Sequence, residues 1–340
     1  MTIKIKNTDK GNENIGLNSS YKRVKADDPE YIYIPVISTN NIQGNFYQNE
    51  IKIKNITYKS GDLIYLLRYI NILKDEFGQK RLLYIDAGEL YNSNNKTEIN
   101  YIRNLFNYID CNKDILMDIN LQNYTIINII EDYKIYNIKL INRDIIKIGV
   151  IEFVILKEES YILEELVTKI ESYINILKNK GINAIILLTN LEMRCIGKNL
   201  NLNMYINTKQ ICDEYSNSKK ALLNVLKYNI SIDAVIVSNS YDLEIHHWVN
   251  GIPIMSSPSK GKYFNIMYLP FKKESGTYIL NNSEIKIEGP IPICEKIFKD
   301  TKKCDSEILS DTGEYIDFFW HGRKIFKDIN LKKIENKEKK

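Results

Sequence analysis

Apolar residues along this chain gather into short runs separated by longer stretches in which they recur every three or four positions. The runs Tyr31 to Ser38, Leu82 to Ile85, Tyr124 to Ile130, Ile145 to Leu156, Ala184 to Leu188 and Ala234 to Val237 read as strands. Between them, Gly61 to Phe77 carries Leu63, Leu66, Leu67, Ile70 and Leu73 at helical spacing, with Ser60 as the expected N-cap. Gly78 is placed to end that helix in a left-handed conformation. Glu158 to Lys180 aligns Ile162, Leu166, Ile170, Ile174 and Leu177 on one side and stops before Gly181. Shorter helices are expected around Glu98 to Tyr108 and Ser218 to Lys227. Strands alternating with amphipathic helices predict an α/β fold.

From Glu244 onward the pattern turns to strands and turns alone. Glu244 to Val249, the turn Asn250-Gly251 and Ile252 to Met255 form one hairpin, followed by strands at Tyr263 to Pro270 and Thr277 to Ile287. Pro35 lies inside what should be a central strand, so a bulge or a shortened strand is expected there. The division that follows is an N-terminal arm over residues 1–28, one domain over 29–290, an extension packed on the core over 291–330, and a charged tail over 331–340. The arm is polar and the tail nearly all charged, so both are expected to be flexible.

Charge and cysteine content narrow the function classes. The chain has 340 residues, with 47 Lys and Arg against 43 Asp and Glu, a net charge of +4. That balance lacks the concentrated positive field needed for phosphate-backbone binding, so no nucleic acid partner is expected. No apolar run is long enough to span a bilayer, and the first twenty residues lack the apolar centre of a signal peptide. The five cysteines, Cys111, Cys195, Cys212, Cys294 and Cys304, are odd in number and show no Cys-x-x-Cys spacing, so neither a disulfide framework nor a zinc site is indicated. An intracellular, cytoplasmic protein in a reducing compartment, with no membrane partner, is the expectation. The abundance of Ile, Asn, Lys and Tyr reflects A and T rich codons more than function.

Five loop segments carry the candidate chemistry: Thr39-Asn40-Asn41-Ile42-Gln43-Gly44, Asp86-Ala87-Gly88-Glu89, Met117-Asp118-Ile119-Asn120, Leu188-Thr189-Asn190-Leu191 and Val237-Ser238-Asn239-Ser240-Tyr241. Each follows an expected strand or lies in the irregular stretch before a helix, the edge where open α/β sheets bind ligands. With Ser60-Gly61-Asp62-Leu63, Leu82 to Gly88, Val249 to Ile254 and Gly261-Lys262-Tyr263, they make the chain resemble the calcineurin-like metallophosphoesterases, specifically the 5'-nucleotidase branch, from about Tyr31 to Leu269. The resemblance implies a four-layer α/β/β/α sandwich of two mixed sheets. In that family the five loops hold two divalent cations that activate a water for attack on a phosphoryl group.

Set against the family's pattern, Asn41 and Gln43 stand where the first loop has Asp and His, and Glu89 stands for the bridging Asp. Asp118 and Ile119 stand for an amide ligand and a catalytic imidazole, Asn190 for a His, and Asn239 and Tyr241 for the two histidines of the last loop. Neutral amides are poor ligands for a transition metal. They also avoid the repulsion that an empty cluster of carboxylates would suffer. The resemblance with its ligands replaced implies a catalytically inactive protein without cofactor, a binding or scaffold subunit for a protein partner. A single Mg²⁺ or Ca²⁺ on Asn41, Glu89, Asp118 and Asn190 is the lesser expectation. Two rivals are an active phosphohydrolase with a rebuilt site and a metal-free sensor of a small ligand. The family's separate nucleoside-binding domain has no counterpart in residues 288–330.

Other residues attract notice and carry less. His246 and His247 are neighbours on a strand and so face opposite ways, which argues against a metal pair. The cluster Phe318, Phe319 and Trp320 is either a partner anchor or the fastening of the terminal segment to the core. Cys195 follows Arg194 but has no histidine partner, so a nucleophile there is not expected.

Overall fold

The computed structural model describes residues 23–26, 28–40, 42, 49–53, 56–88, 129–155, 163–191, 193, 195–196, 211–212, 222–238, 245–299, 304 and 314–327. The expected helix around Glu98 to Tyr108, the strand residues before Ile129, positions 1–22 of the arm and the whole charged tail lie outside them. In chain order the elements are β1 (Ile32–Thr39), α1 (Leu63–Phe77), β2 (Leu83–Asp86), β3 (Ile129–Lys139), β4 (Ile145–Ile155), α2 (Leu163–Asn179), β5 (Ala184–Thr189), α3 (Leu222–Leu226) and β6 (Ala234–Val237). They continue with β7 (Ile245–Val249), β8 (Ile252–Ser256), β9 (Tyr263–Glu274), β10 (Thr277–Leu280) and β11 (Lys286–Pro292). Short two-stranded ladders, such as Asn49–Ile53 with Ile56–Ser60, stand apart from the main sheets. Among the described residues no helix is long and apolar enough to cross a membrane.

Two mixed sheets form the centre. In one, β9 pairs antiparallel with β1 along one edge and with β10 and β11 along the other, and β1 pairs parallel with β2. In the other the order is β7-β8-β6-β5-β4-β3, parallel from β8 to β4 and antiparallel at both edges. The period-2 alternation of each strand sorts its side chains onto two faces. Ile34, Val36, Leu83, Ile85, Met267 and Leu269 meet Ile146, Ile148, Val150, Ala184, Ile186, Leu188, Ala234 and Ile236 between the sheets. Outside the first sheet, Tyr33, Ile37, Tyr84, Phe264 and Tyr268 pack against α1. Outside the second, Ile185, Leu187, Val235 and Val237 pack against Leu166, Ile170, Ile174 and Leu177 of α2. Helix, sheet, sheet and helix therefore stack in four layers, as the resemblance implied.

Glycine sets the spacing of two of these contacts. A Cβ at Gly149 would lie 2.9 Å from one methyl of Leu177 and 3.3 Å from Ile182, so the bare Cα lets α2 settle on β4. At Gly289, where φ is +144°, a Cβ would come within 2.0 Å of the Asn265 Oδ1, and the β9–β11 register shifts around Asn265.

Several elements differ from expectation. Pro35 stands opposite Tyr268 in an unbroken register, with neither bulge nor shortening. The parallel neighbour β2 begins opposite Val36, so the missing N–H of Pro35 faces no strand on that side. The N-cap of α1 is Asp62, whose carboxylate accepts from the Ile64 N–H at 3.0 Å, rather than Ser60. Gly78 has a positive φ of 106°, and its N–H bonds to the Lys74 carbonyl at 2.9 Å. The expected strand Thr277 to Ile287 is two strands, broken by a 3₁₀ turn at Asn282–Glu284 that Asn281 caps. The last residues of the expected arm are docked: Val24 is buried and Arg23 pairs with Glu76.

The C-terminal segment is tied to α1 and β11 through buried polar groups. Phe318 and Trp320 are 2% exposed and belong to the chain's own core, so of the two readings of this cluster they follow the fastening of the terminal segment; Phe319 is half-buried. Glu288, 1% exposed, accepts from the Tyr268 hydroxyl at 2.6 Å and from the Trp320 Nε1–H at 3.0 Å. His321 lies stacked on Trp320, with Nδ1 2.9 Å from Glu76 and Nε2 3.5 Å from Glu288. Burial alone would push the His321 imidazolium down, but Glu288 and Glu76 outweigh it and hold it above the ordinary histidine value. Farther along, Arg323 reaches Asp75 at 2.7 Å and Lys327 reaches Asp62 at 2.6 Å.

Two outcomes follow from this packing. Gly149→Val is expected to lower stability by about 1–3 kcal/mol through overpacking against Leu177, measured by urea unfolding. His321→Gln is expected to lower stability by about 3 kcal/mol at pH 6, because buried Glu288 and Glu76 lose their cation. The raised group stabilises fully below the unfolded value and loses that contribution as pH rises through the folded one. The difference between wild type and variant should therefore narrow in alkaline buffer, and a gap independent of pH would contradict a charged His321.

Candidate functional site

The parallel strands of both sheets end at one edge, and the residues found there come from β1, β2, β5 and β6. Thr39 closes β1 and Asp86 closes β2, side by side in the parallel register. Thr189 closes β5 beside Val237 of β6, and the Ser238 N–H bonds to the Thr189 carbonyl at 2.7 Å. The chain passes from the second sheet to the first at this edge, through residues 257–262 between β8 and β9. Ser257 joins the sheets there: its hydroxyl donates to the Ser38 carbonyl at 2.7 Å, and its own carbonyl accepts from the Asn40 Nδ2–H at 3.0 Å.

Buried polar residues line the joint. Ser38, Thr39, Asn40, Thr189, Ser256, Ser257 and Asn265 are all buried, and all are neutral. Asn265 donates to the Ser256 carbonyl at 2.9 Å, and the Thr189 hydroxyl accepts from the Leu191 N–H at 3.2 Å. Such pairing is what buried polar groups require, since an unmet donor or acceptor costs about 1–3 kcal/mol.

Asp86 is the acid of this edge. Its Oδ2 accepts from the Thr39 hydroxyl at 2.5 Å and its Oδ1 from the Gly88 N–H at 3.2 Å. Because Thr39 gives its proton to Asp86, the Tyr84 hydroxyl 2.6 Å away donates to Thr39. Burial pushes the Asp86 carboxyl up to about 6, against the opposing pull of the Thr39 and Gly88 hydrogen bonds. Glu152 is the other buried acid nearby. It stands in register with Leu188, one residue before Thr189, and is paired with Lys134 at 3.0 Å. Asp86 opens the second sequence motif, at the end of an apolar strand, though no role was assigned to it there, and Glu152 gave no signal.

Of the eight positions singled out from the motifs, Asn190 alone is among the described residues. It follows β5 directly and is half-buried. Asn41, Gln43, Glu89, Asp118, Ile119, Asn239 and Tyr241 lie outside the described residues. Their neighbours Asn40, Ile42, Gly88 and Ser238 show that four of the five motifs leave strands of this one edge. His246 and His247 lie on β7, opposite Met255 and Ile254, and His246 is one register position from Ser256, the residue that closes β8 at this edge.

At this edge Thr39, Asn40, Thr189, Asn190 and Ser238 supply neutral oxygens, and each carboxylate oxygen of Asp86 accepts a hydrogen bond from the protein. Among the described residues no group of three or more His, Cys, Asp or Glu side chains comes together as a metal site.

Solved structures with a similar chain path include a calcineurin-like phosphoesterase, YfkN, from Bacillus subtilis, at 16% identity over 77% of this chain and 91% of that one, with a TM-score of 0.49. The NAD nucleotidase NadN of Haemophilus influenzae is 12% identical over 91% of this chain and 60% of its own, with a TM-score of 0.47. A 5'-nucleotidase precursor from Thermus thermophilus is 10% identical over 90% and 58%, with a TM-score of 0.48. The chain thus spans less than two thirds of the length of these two nucleotidase structures. No protein-family model and no curated protein matches it. Identities and TM-scores of this size assign neither family nor role.

Asp86 supplies a further expectation. A carboxyl raised on folding stabilises fully below its unfolded value, and the contribution is lost as pH climbs through about 6. Asp86→Asn, which keeps an acceptor for Gly88, should therefore be more stable than wild type at pH 8 by on the order of 3 kcal/mol. The gain should disappear at pH 4, where wild-type Asp86 is protonated. Thermal unfolding from pH 4 to 8 measures the difference, and a gap constant across the range would contradict the raised carboxyl.

Proposed function

We propose that this chain is a catalytically inactive protein of the metallophosphoesterase fold, 5'-nucleotidase-like in its loops, that serves as a binding or scaffold subunit for a protein partner. The observation that carries this is the chemistry of the strand-end edge. Where the phosphoesterase pattern has imidazoles and carboxylates, the sequence has Asn41, Gln43, Ile119, Asn190, Asn239 and Tyr241, and the described edge beside them carries the neutral side chains of Asn40, Thr189, Asn190 and Ser238. Neutral side chains neither grip two cations nor lower the pKa of a bound water.

The sandwich beneath this edge is retained and its polar joint is hydrogen-bonded across the sheets. Loops on a rigid two-sheet support make a shaped surface, which suits recognition as well as catalysis. An intracellular site of action and a protein partner belong to the same proposal.

Purified protein incubated with Mn²⁺, Mg²⁺, Co²⁺ or Zn²⁺ and with nucleotide or generic phosphoester substrates is expected to show no turnover above the metal blank. Metal analysis of the same sample should return less than one equivalent of any divalent ion. Turnover that Glu89→Gln abolishes would replace this proposal with an active phosphohydrolase. The binding role is tested by recovering a stoichiometric partner from native lysate and rebuilding the complex from purified components.

A further inference from the structure

We propose that the hairpin over residues 318–327 is a pH-operated clasp, closed on α1 while His321 carries its second proton and lifted as a unit in alkaline solution, with the two-sheet sandwich left folded. In the hairpin Phe319–Trp320 pairs with Arg323–Lys324, and His321 and Gly322 connect them with φ of 51° and 72°. Two consecutive positive φ values are what a type I′ hairpin turn requires, and His321 thus sits at the tip. Among the described residues, main-chain bonds tying this stretch to the body stop at Phe318, whose N–H reaches the Glu295 carbonyl at 2.8 Å. Just before it, Tyr315–Asp317 pairs with Lys296–Phe298 and anchors the chain where the hairpin begins. The Ile325 N–H bonds to the Phe318 carbonyl, within the hairpin itself.

Past that anchor, side chains hold the hairpin down. Phe318, Trp320 and Ile325 are buried, and the Trp320 ring meets Tyr69 edge-on at 5.2 Å and Phe264 at 6.2 Å. At the rim Arg323 reaches Asp75, Lys327 reaches Asp62, and the Arg68 guanidinium lies 4.6 Å from the centre of the Phe326 ring. At the centre His321 stands between carboxylates delivered by two other elements, Glu76 of α1 and Glu288 of β11. Arg23 also pairs with Glu76, while the Tyr268 hydroxyl of β9 and the Trp320 indole donate to Glu288.

Loss of the His321 proton removes a cation from between two buried carboxylates, and an unbalanced charge in a water-poor joint is costly. Lifting the hairpin lets water reach them, at the expense of three apolar side chains. The sign follows from the closed state: burial lowers His321, Glu288 and Glu76 outweigh it, and its proton is held more tightly there than on a released, hydrated imidazole. The closed form is favoured in full below the released value and loses that advantage as pH rises through the closed one. Glu76 sets the acidic limit. Burial raises it, but His321 and Arg23 hold it below its ordinary value, so its contribution fades as pH falls through that lowered value. The clasp is closed between these limits, whether or not the strand-end edge is catalytic.

Hydrogen exchange of the full chain, read by mass spectrometry across the neutral to alkaline range and corrected for the intrinsic rate at each pH, tests the clasp. Exchange in the hairpin is expected to rise by up to roughly tenfold per pH unit above the ordinary histidine value, while α2 and β5 keep their protection. With Trp248→Phe, Trp320 is the one tryptophan left, and its emission should shift to the red over the same range. Glu288→Gln keeps an acceptor for Tyr268 and Trp320 but removes the charge that loses its partner, so it should flatten both responses. Hairpin exchange that does not rise, exchange that rises equally in α2 and β5, or a Glu288→Gln response like that of wild type would each overturn the proposal. If Glu288→Gln folds poorly, the comparison of the hairpin with α2 and β5 in wild type decides alone.

Discussion

The hydrogen bonds of Ser257 fix the geometry on which the rest of this molecule depends. Two sheets stacked face to face are held apart by apolar side chains, and such contacts are tolerant of sliding. Direction comes from polar groups. Where the chain crosses from β8 to β9, Ser257 binds the Ser38 carbonyl with its hydroxyl and the Asn40 amide with its carbonyl. These bonds sit in a water-poor joint, where breaking one leaves an unmet polar group rather than a hydrated one. The end of β1 is thereby locked to the end of the second sheet, and the loops leaving β1, β2, β5 and β6 start from a shared, rigid edge.

That rigidity separates architecture from chemistry. The four layers need apolar strand faces and two helical stripes, and of the five motifs they draw on apolar members such as Ile42, Ala87, Leu188, Leu191 and Val237. Ligand positions can therefore change to amides and hydroxyls while the edge keeps its form. Asp86 is a buried acid in a structural role. Held by Thr39 and the Gly88 N–H, it acts as a structural acceptor at a strand end, and its burial raises its affinity for a proton.

Much of the fold was legible because most elements are buried on a face whose period matches their geometry. The stripe of α2 and the run of β6 could be read directly, since Leu166, Ile170, Ile174 and Leu177 point into one core and every residue of β6 is buried. β3 was harder: as an edge strand it mixes Asp132, Lys134 and Lys139 with Tyr136 and Ile138, and charges blur the alternation. The break at Asn282–Glu284 was legible in the four polar residues Asn281 to Glu284 that separate Leu280 from Ile285, although the stretch was read as one strand. In the site, the motif order located the edge correctly, as Asn40, Gly88, Asn190 and Ser238 show. What could not be read were the partners made in three dimensions, among them Ser257 with Ser38 and His321 with Glu76 and Glu288. Nothing in local spacing joins residues so far apart.

Gly289 shows how an absent atom can govern a distant charge. Its bare Cα lets β11 lie against Asn265 at the point where β9 shifts register, and the next residue toward the N-terminus is Glu288. The carboxylate that gathers Tyr268, Trp320 and His321 is consequently delivered at the depth that the glycine permits. A methyl group there would act as a shim under the strand, lifting the anion away from three partners at once. The fastening of the C-terminal segment is in this sense gauged by the thickness of one backbone.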